Sequence, residues 1–437
     1  MSTSIIELLL ICITMFLHKI INYIHNLWNI SHLVKVKISN YITFILDNTF
    51  INTYVNDIKY SNSINKKIKI GLLTNEIPPI IYGGVATWIV NFIKMFKDEE
   101  NIEIIPIFLA YQDNLPENCK KEYKNIRIIQ NDDDIKSSFK DIDICINNLW
   151  ICLDTIKKIK ELYPNLSMVT VCHSLIQMEN ITNLGSIYTN NWCDQENTFK
   201  ISDYVILISK AEQNYYNTFG YDLFKSKTKV IYNSYSPKYD NNVLNNNYTC
   251  NDIGYIGRHV PRKRPEIPIL AVDSLKLKDI KVHNMGVDYD KYGNDFWKLL
   301  EKRYKDNLNV IPFTSDKSKK EKFFEETGWC CITGIYEPFG YTICEAIDRC
   351  KPLIVGNIDG PKEIINEVKE HIITYEVDRD NYENDIKNFS EALQTALKLS
   401  SKERKQNAIK ARKCLDRFRP ETIKLDWIEL FNEILHL

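Results

Sequence analysis

Between Trp329 and Ile365 the chain runs through the same plan twice. The short apolar run Trp329-Cys330-Cys331-Ile332-Thr333 ends in a glycine-bearing polar loop and a helix start. A second run, Leu353-Ile354-Val355-Gly356, does the same at Asp359-Gly360-Pro361. Apolar runs of this length bounded by turn residues read as buried strands. Two successive strand–loop–helix units with their polar loops on one edge describe the ligand edge of a doubly wound, mainly parallel sheet. The chain is thereby placed in the α/β class.

The first loop holds the chemistry. It reads Gly334-Ile335-Tyr336-Glu337-Pro338-Phe339-Gly340-Tyr341-Thr342-Ile343-Cys344-Glu345, with Glu337 and Glu345 seven residues apart. Pro is tolerated in a first helical turn, and Gly340 lets backbone come close to a ligand. Glu337 is expected in the loop and Glu345 about a turn into the helix. A helix start offers free N–H groups and a positive dipole end, which suit phosphate. A carboxylate beside it accepts hydrogen bonds from sugar hydroxyls. The combination suggests recognition of a nucleoside diphosphate carrying a sugar. Alone, the Glu pair would be explained better by a surface helix.

The 437 residues suffice for two domains. A formal net charge of −1 gives no electrostatic reason to expect nucleic acid as a partner. The twelve Cys include no Cys-x-x-Cys pair, and several lie in apolar runs, so free thiols in a reducing, cytoplasmic compartment are expected.

Residues 1–66 are expected to form an N-terminal hydrophobic, helical extension. The segment 5–21 is short for a spanning helix and carries charges. Peripheral membrane association is expected slightly ahead of packing on the catalytic body. A first domain, 67–236, opens with a strand at 68–73, and Gly83-Gly84 lead into a helix. Further strands are expected at 102–110, 126–130, 142–147, 167–172, 204–208 and 229–232, with helical patterns between several of them. His173 follows one of these strands at its C-terminal end, where ligands bind in open α/β sheets. The polar, Asn-rich segment 235–251 reads as a linker. A second domain, 252–420, starts with the strand 252–257, followed by Arg258 and Lys263. Arg grips a diphosphate bidentately and Lys adds a point charge; Arg262, Lys263 and Arg264 would otherwise be a solvated basic turn. Later strands are expected at 281–285, 309–313 and 329–333, and helices at 389–399, 403–418 and 422–435. Asp-x-Asp pairs at Asp132/Asp134, Asp141/Asp143, Asp288/Asp290 and Asp378/Asp380 sit at no recognisable donor loop, so no metal is expected.

These motifs resemble glycosyltransferase family 4. The resemblance covers about residues 67–430 and rests on Glu337-x7-Glu345 with Phe339-Gly340 inside, the following Pro352 strand, Gly360-x-x-Glu363 and Gly257-Arg258-x4-Lys263. It implies the GT-B architecture, two Rossmann-like domains facing across a cleft, with a last helix, 421–437, crossing back to the first domain. It implies a retaining, hexosyltransferase-type enzyme that moves sugar from a nucleoside-diphosphate donor to a glycan, lipid or protein acceptor without cofactor. Arg258 and Lys263 would hold the diphosphate, Glu345 the ribose, and Glu337 the donor sugar. His173 would position that sugar from the other domain. Gly83 and Gly84 would face donor and acceptor, with Phe339, Gly340 and Tyr341 beside the donor. Cys350 and Thr314-Ser315 stand where the family has Gly, which would narrow the donor pocket. Asn233-Ser234 replaces the usual Asn-Gly. An epimerase of the same fold, or an inactive sugar-nucleotide-binding module, are the alternatives.

Overall fold

The computed structural model describes residues 67–78, 83–110, 117–149, 152–183, 192–239, 246–287, 294–314 and 316–436. The N-terminal extension, Ser315 and Asp288/Asp290 lie outside these residues.

The first lobe alternates strands and helices in the order β1 (Ile68–Thr74), α1 (Gly84–Met95), β2 (Ile102–Leu109), α2 (Glu117–Glu122), β3 (Arg127–Ile129) and α3 (Asp132–Phe139). It continues with β4 (Ile144–Asn147), α4 (Leu153–Leu162), β5 (Ser167–Cys172), α5 (Ile176–Thr182), α6 (Trp192–Ile201), β6 (Tyr204–Leu207), α7 (Lys210–Thr218) and β7 (Lys227–Val230). All seven strands pair in parallel, in the order β3-β2-β1-β4-β5-β6-β7. β4 and β6 are buried throughout, as strands covered by helices on both faces must be.

The second lobe runs β8 (Ile253–Ile256), α8 (Ile267–Ser274), β9 (Val282–Val287), α9 (Asn294–Arg303), β10 (Leu308–Pro312), α10 (Lys317–Glu326), β11 (Trp329–Ile332), α11 (Tyr341–Asp348), β12 (Leu353–Gly356), α12 (Asp359–Ile365) and β13 (Ile373–Tyr375). Its parallel sheet has the order β10-β9-β8-β11-β12-β13. The strand β13 is absent from the sequence reading. Helices α13 (Tyr382–Lys398), α14 (Ser401–Ala411) and α15 (Pro420–Leu435) complete the chain. The single helix expected over 403–418 is instead α14 followed by a tighter 3₁₀ segment, Arg412–Phe418, which buries Cys414, Leu415 and Phe418.

α15 packs on α1 of the first lobe. Trp427 meets Phe92 edge to face at 5.0 Å and Trp88 at 5.9 Å, and Phe431 meets Phe96 at 5.7 Å. Lys424 donates to Glu99 at 2.5 Å on the rim. Aromatic pairs of this geometry add about 0.5–1.5 kcal/mol each beyond their buried area.

Candidate active site

In each sheet the chain fills one side first and then crosses to the other. The crossing separates β1 from β4 in the first lobe and β8 from β11 in the second. The loops at the C-terminal ends of such neighbours diverge and leave a crevice. Glu76 and the Gly83-Gly84 pair follow β1, Asn148 follows β4, Arg258 follows β8 and Glu337 follows β11.

In the second lobe, Lys263 lies in a 3₁₀ turn, Pro261–Lys263, rather than at the head of a helix, since α8 begins only at Ile267. Its Nζ donates to Glu337 Oε2, and the side chains of the pair are only 17% and 18% exposed. Burial alone would push the Glu337 carboxyl up, but the charges of Lys263, Arg262 and Arg258 outweigh it and hold it below the usual range. Burial pulls the Lys263 ammonium down to about 8, with Glu337 opposing. Arg262 and Arg264, the other members of the basic turn, are committed elsewhere. Arg262 pairs with Glu179 at 3.2 Å and Arg264 with Asp385 at 2.5 Å. Arg258 is exposed, and its guanidinium has no partner among the described residues.

Gly340 caps α11 at φ 118°, a backbone region closed to ordinary side chains. Phe339 turns its ring into the core, 3% exposed, edge to face with Phe418 and Tyr341; what it can offer a ligand is backbone. Tyr341, half-buried, opens α11. Glu345 is the fifth residue of that helix and is paired with Lys320 of α10 at 2.6 Å.

The first lobe contributes neutral groups. Asn148 gives its Nδ2 to the Leu73 carbonyl at 3.3 Å, so its Oδ1 faces His173 Nε2 at 2.8 Å. His173 Nε2 therefore carries the proton and Nδ1 presents a lone pair. Burial holds this imidazole neutral, down to about 3, and Trp88 stands edge-on to it at 5.2 Å. A Cβ on Gly84 would meet nothing within 4 Å, and both glycines are exposed. Space in front of α1 is thus left open rather than required by the chain's own packing.

Glu76 is a residue that the sequence reading passed over. Its carboxylate has no partner among the described residues. Burial pushes it up, and Arg258 of the other lobe counters that, so the two unpartnered charges act on each other across the crevice. The one sequence signal for it is an acidic residue just before the Pro-rich loop that ends in Gly83-Gly84.

Other polar groups join the lobes. The Glu363 carboxylate accepts from the first two N–H groups of α7, Lys210 at 3.0 Å and Ala211 at 2.6 Å, and from Tyr232 at 2.6 Å. Asp359 accepts from Tyr215 at 2.7 Å, from Arg379 at 2.8 Å and from the Glu337 N–H at 3.3 Å. Nothing in the sequence singles out Arg379, which also donates to the Ile335 carbonyl at 2.9 Å.

Cys350 has φ 50°, which explains why glycine suits that position. It follows the C-cap of α11, one helix length of about 12 Å from Gly340, and its carbonyl accepts from Tyr248 at 3.1 Å. It therefore does not narrow a pocket at the other end of the helix. Thr314 accepts from the Asp316 N–H at 3.1 Å, and Asn233 and Ser234 are buried. The described Asp-x-Asp pairs are engaged locally: Asp134 in a capping box, Asp141 with Lys69 and Arg127, and Asp378 with the N–H groups of Asp380 and Asn381. Among the described residues no group of three His, Cys, Asp or Glu is arranged for a metal, no helix is long and apolar enough to cross a membrane, and the cysteines are free.

Residues 240–413 match the family of glycosyl transferases group 1. No curated protein matches the chain in sequence. Among solved structures, sucrose-phosphate synthase from Thermosynechococcus elongatus superposes with a TM-score of 0.67 at 16% identity, covering 85% of this chain and 100% of that one. HepE of Anabaena, in complex with UDP and glucose, gives 0.62 at 16% identity, covering 84% and 100%. A glycosyltransferase from Rickettsia africae gives 0.63 at 18% identity, covering 84% and 99%. The second lobe is thus similar to the glycosyl transferases group 1 family over residues 240–413, and the two lobes together have the GT-B fold.

Proposed function

We propose that the protein is a retaining, metal-independent glycosyltransferase that uses a nucleoside-diphosphate hexose. The observation that carries this reading is the buried Lys263–Glu337 pair at the crossing point of the second sheet, with Arg258 beside it and without a partner among the described residues. A phosphate-binding cation and a sugar-binding carboxylate adjoin each other there, as a sugar diphosphate requires. The bond from the anomeric carbon to the diphosphate breaks toward an oxocarbenium ion, and the bonding electrons leave on the phosphate oxygen. Arg258, Lys263 and the N-terminal turn of α11 stabilise that charge. The departing phosphate oxygen takes the acceptor's proton as the acceptor oxygen attacks from the same face. Glu337 orients the donor sugar. Glu345 holds the ribose hydroxyls, exchanging its bond with Lys320 for them. Neutral His173 accepts a hydrogen bond from a sugar hydroxyl at Nδ1. The UDP and glucose in the Anabaena structure make uridine the first base to try. The acceptor is a glycan, lipid or protein hydroxyl.

A panel of nucleoside-diphosphate sugars, incubated with the full chain with and without sugar acceptors, tests the reading. Nucleotide release that depends on acceptor supports transfer. A changed donor sugar would instead make the protein an epimerase, and binding without turnover a sugar-nucleotide-binding module.

A further inference from the structure

Tyr336 and Arg262 immediately precede Glu337 and Lys263, and both cross to the first lobe. The Tyr336 hydroxyl is buried between the lobes, donating to Glu212 Oε1 at 2.7 Å and accepting the Leu175 N–H at 2.9 Å. Leu175 N–H also donates to the same Glu212 oxygen at 2.6 Å, closing a triangle. Leu175 is the N-cap of α5, two residues after His173. Arg262 takes hold of the same helix further along. Its guanidinium pairs with Glu179 at 3.2 Å, and its backbone N–H donates to Asn183, the C-cap, at 3.1 Å. Arg262 then returns to Tyr336, donating to its carbonyl at 3.1 Å. The two neighbours of the donor pair thus grip one short helix from cap to cap, and they also brace each other.

We propose that Tyr336 and Arg262 are positioning residues that couple lobe closure to assembly of the donor site. The inference rests on the transferase reading above. Closing the triangle on α5 sets the distance between His173, in the loop just before that helix, and the Lys263–Glu337 pair. When the lobes part, Tyr336 loses its partners and the backbone that aims Glu337 is released. Glu212 is the pivot: wholly buried, it leaves Oε2 without a partner, so Oε1 depends on both its donors.

The test uses the full chain, UDP as nucleotide probe, the donor panel for turnover, and hydrogen–deuterium exchange. Tyr336→Phe keeps the ring and removes the hydroxyl. Turnover is expected to fall about tenfold, the loss of one hydrogen bond that leaves its buried partners unsatisfied, while UDP affinity stays within about threefold. Exchange in peptides spanning 173–183 and 333–340 should rise together. Adding Glu212→Gln should cost little more, because both act through one contact. Glu179→Gln, at the other end of α5, should give the same paired rise in exchange and guards against a Tyr336 variant that does not fold. The coupling is refuted if exchange rises only around 333–340, or if UDP affinity falls in step with turnover. A parent chain that turns over no donor would sink the transferase reading alone, since exchange and UDP binding still decide the coupling.

Discussion

The two lobes share a parallel plan and divide the site unequally. The second lobe brings its charges to the cleft: Arg258, Lys263, Glu337 and Glu345. The first brings a neutral imidazole, two open glycines and an amide, with Glu76, an acid whose carboxylate has no partner among the described residues. The lobe expected to hold a dianionic diphosphate is the one that carries fixed cations. The lobe facing an uncharged hydroxyl needs shape and hydrogen bonding instead. The division also shows in the wiring: the charges of the second lobe are held by sequence neighbours that are anchored in the first.

The largest effect should come from breaking the charged pair. Lys263→Ala removes a phosphate contact and strands a buried carboxylate, so donor turnover at low substrate should fall by about a hundredfold or more. Thermal unfolding should show a loss of stability, and less of one when Glu337→Gln is added, because the stranded charge is gone. Unchanged kinetics would remove the phosphate role from the second lobe. Glu337→Gln and Glu345→Gln divide that lobe further, each by roughly ten- to a hundredfold. The first should lower turnover and spare free UDP binding. The second should weaken UDP itself, as calorimetry beside kinetics would read.

Smaller effects probe the first lobe. Asn148→Ala frees the His173 tautomer and should reduce turnover about tenfold with nucleotide affinity kept; equal losses in both would mean that the amide only supports the fold. pH separates the lobes again. The Lys263 ammonium, held down to about 8, loses its proton and charge as pH rises through that value. Donor kcat/KM should therefore fall above about pH 8, and Lys263→Arg should abolish the fall, since guanidinium stays charged. His173, neutral down to about pH 3, adds no step near neutrality. The smallest effect is expected from chelation: EDTA should leave turnover unchanged, and a rate restored by a divalent ion would contradict the metal-free mechanism.

The same asymmetry governs what could be read beforehand. The second-lobe site is legible because its groups lie close in sequence, between Arg258 and Lys263 and between Glu337 and Glu345, and because Pro, Gly and Glu at fixed spacing mean backbone geometry. The Lys263–Glu337 ion pair itself is not legible, since 74 positions separate the partners. Glu76, Glu179, Glu212 and Arg379 are single polar residues whose meaning lies in what they meet across space. Local pattern carries none of that. Cys350 shows a third case: the departure from glycine was visible, but its location at the far end of α11 was needed to see that it concerns backbone strain and not the pocket.

The seating of α15 on α1 bears on how the chain is made. Trp88 and Trp427 are contact partners at opposite ends of the chain. At about 5–20 residues added per second, the ribosome needs roughly half a minute to deliver the second after the first. During that interval Trp88, Phe92 and Phe96 lack the cover of α15, and a nascent first lobe presents an aromatic face of the kind chaperones bind. Chains ending before Pro420 would keep that face for life, so loss of the last helix should appear as aggregation or degradation before it appears as lost catalysis.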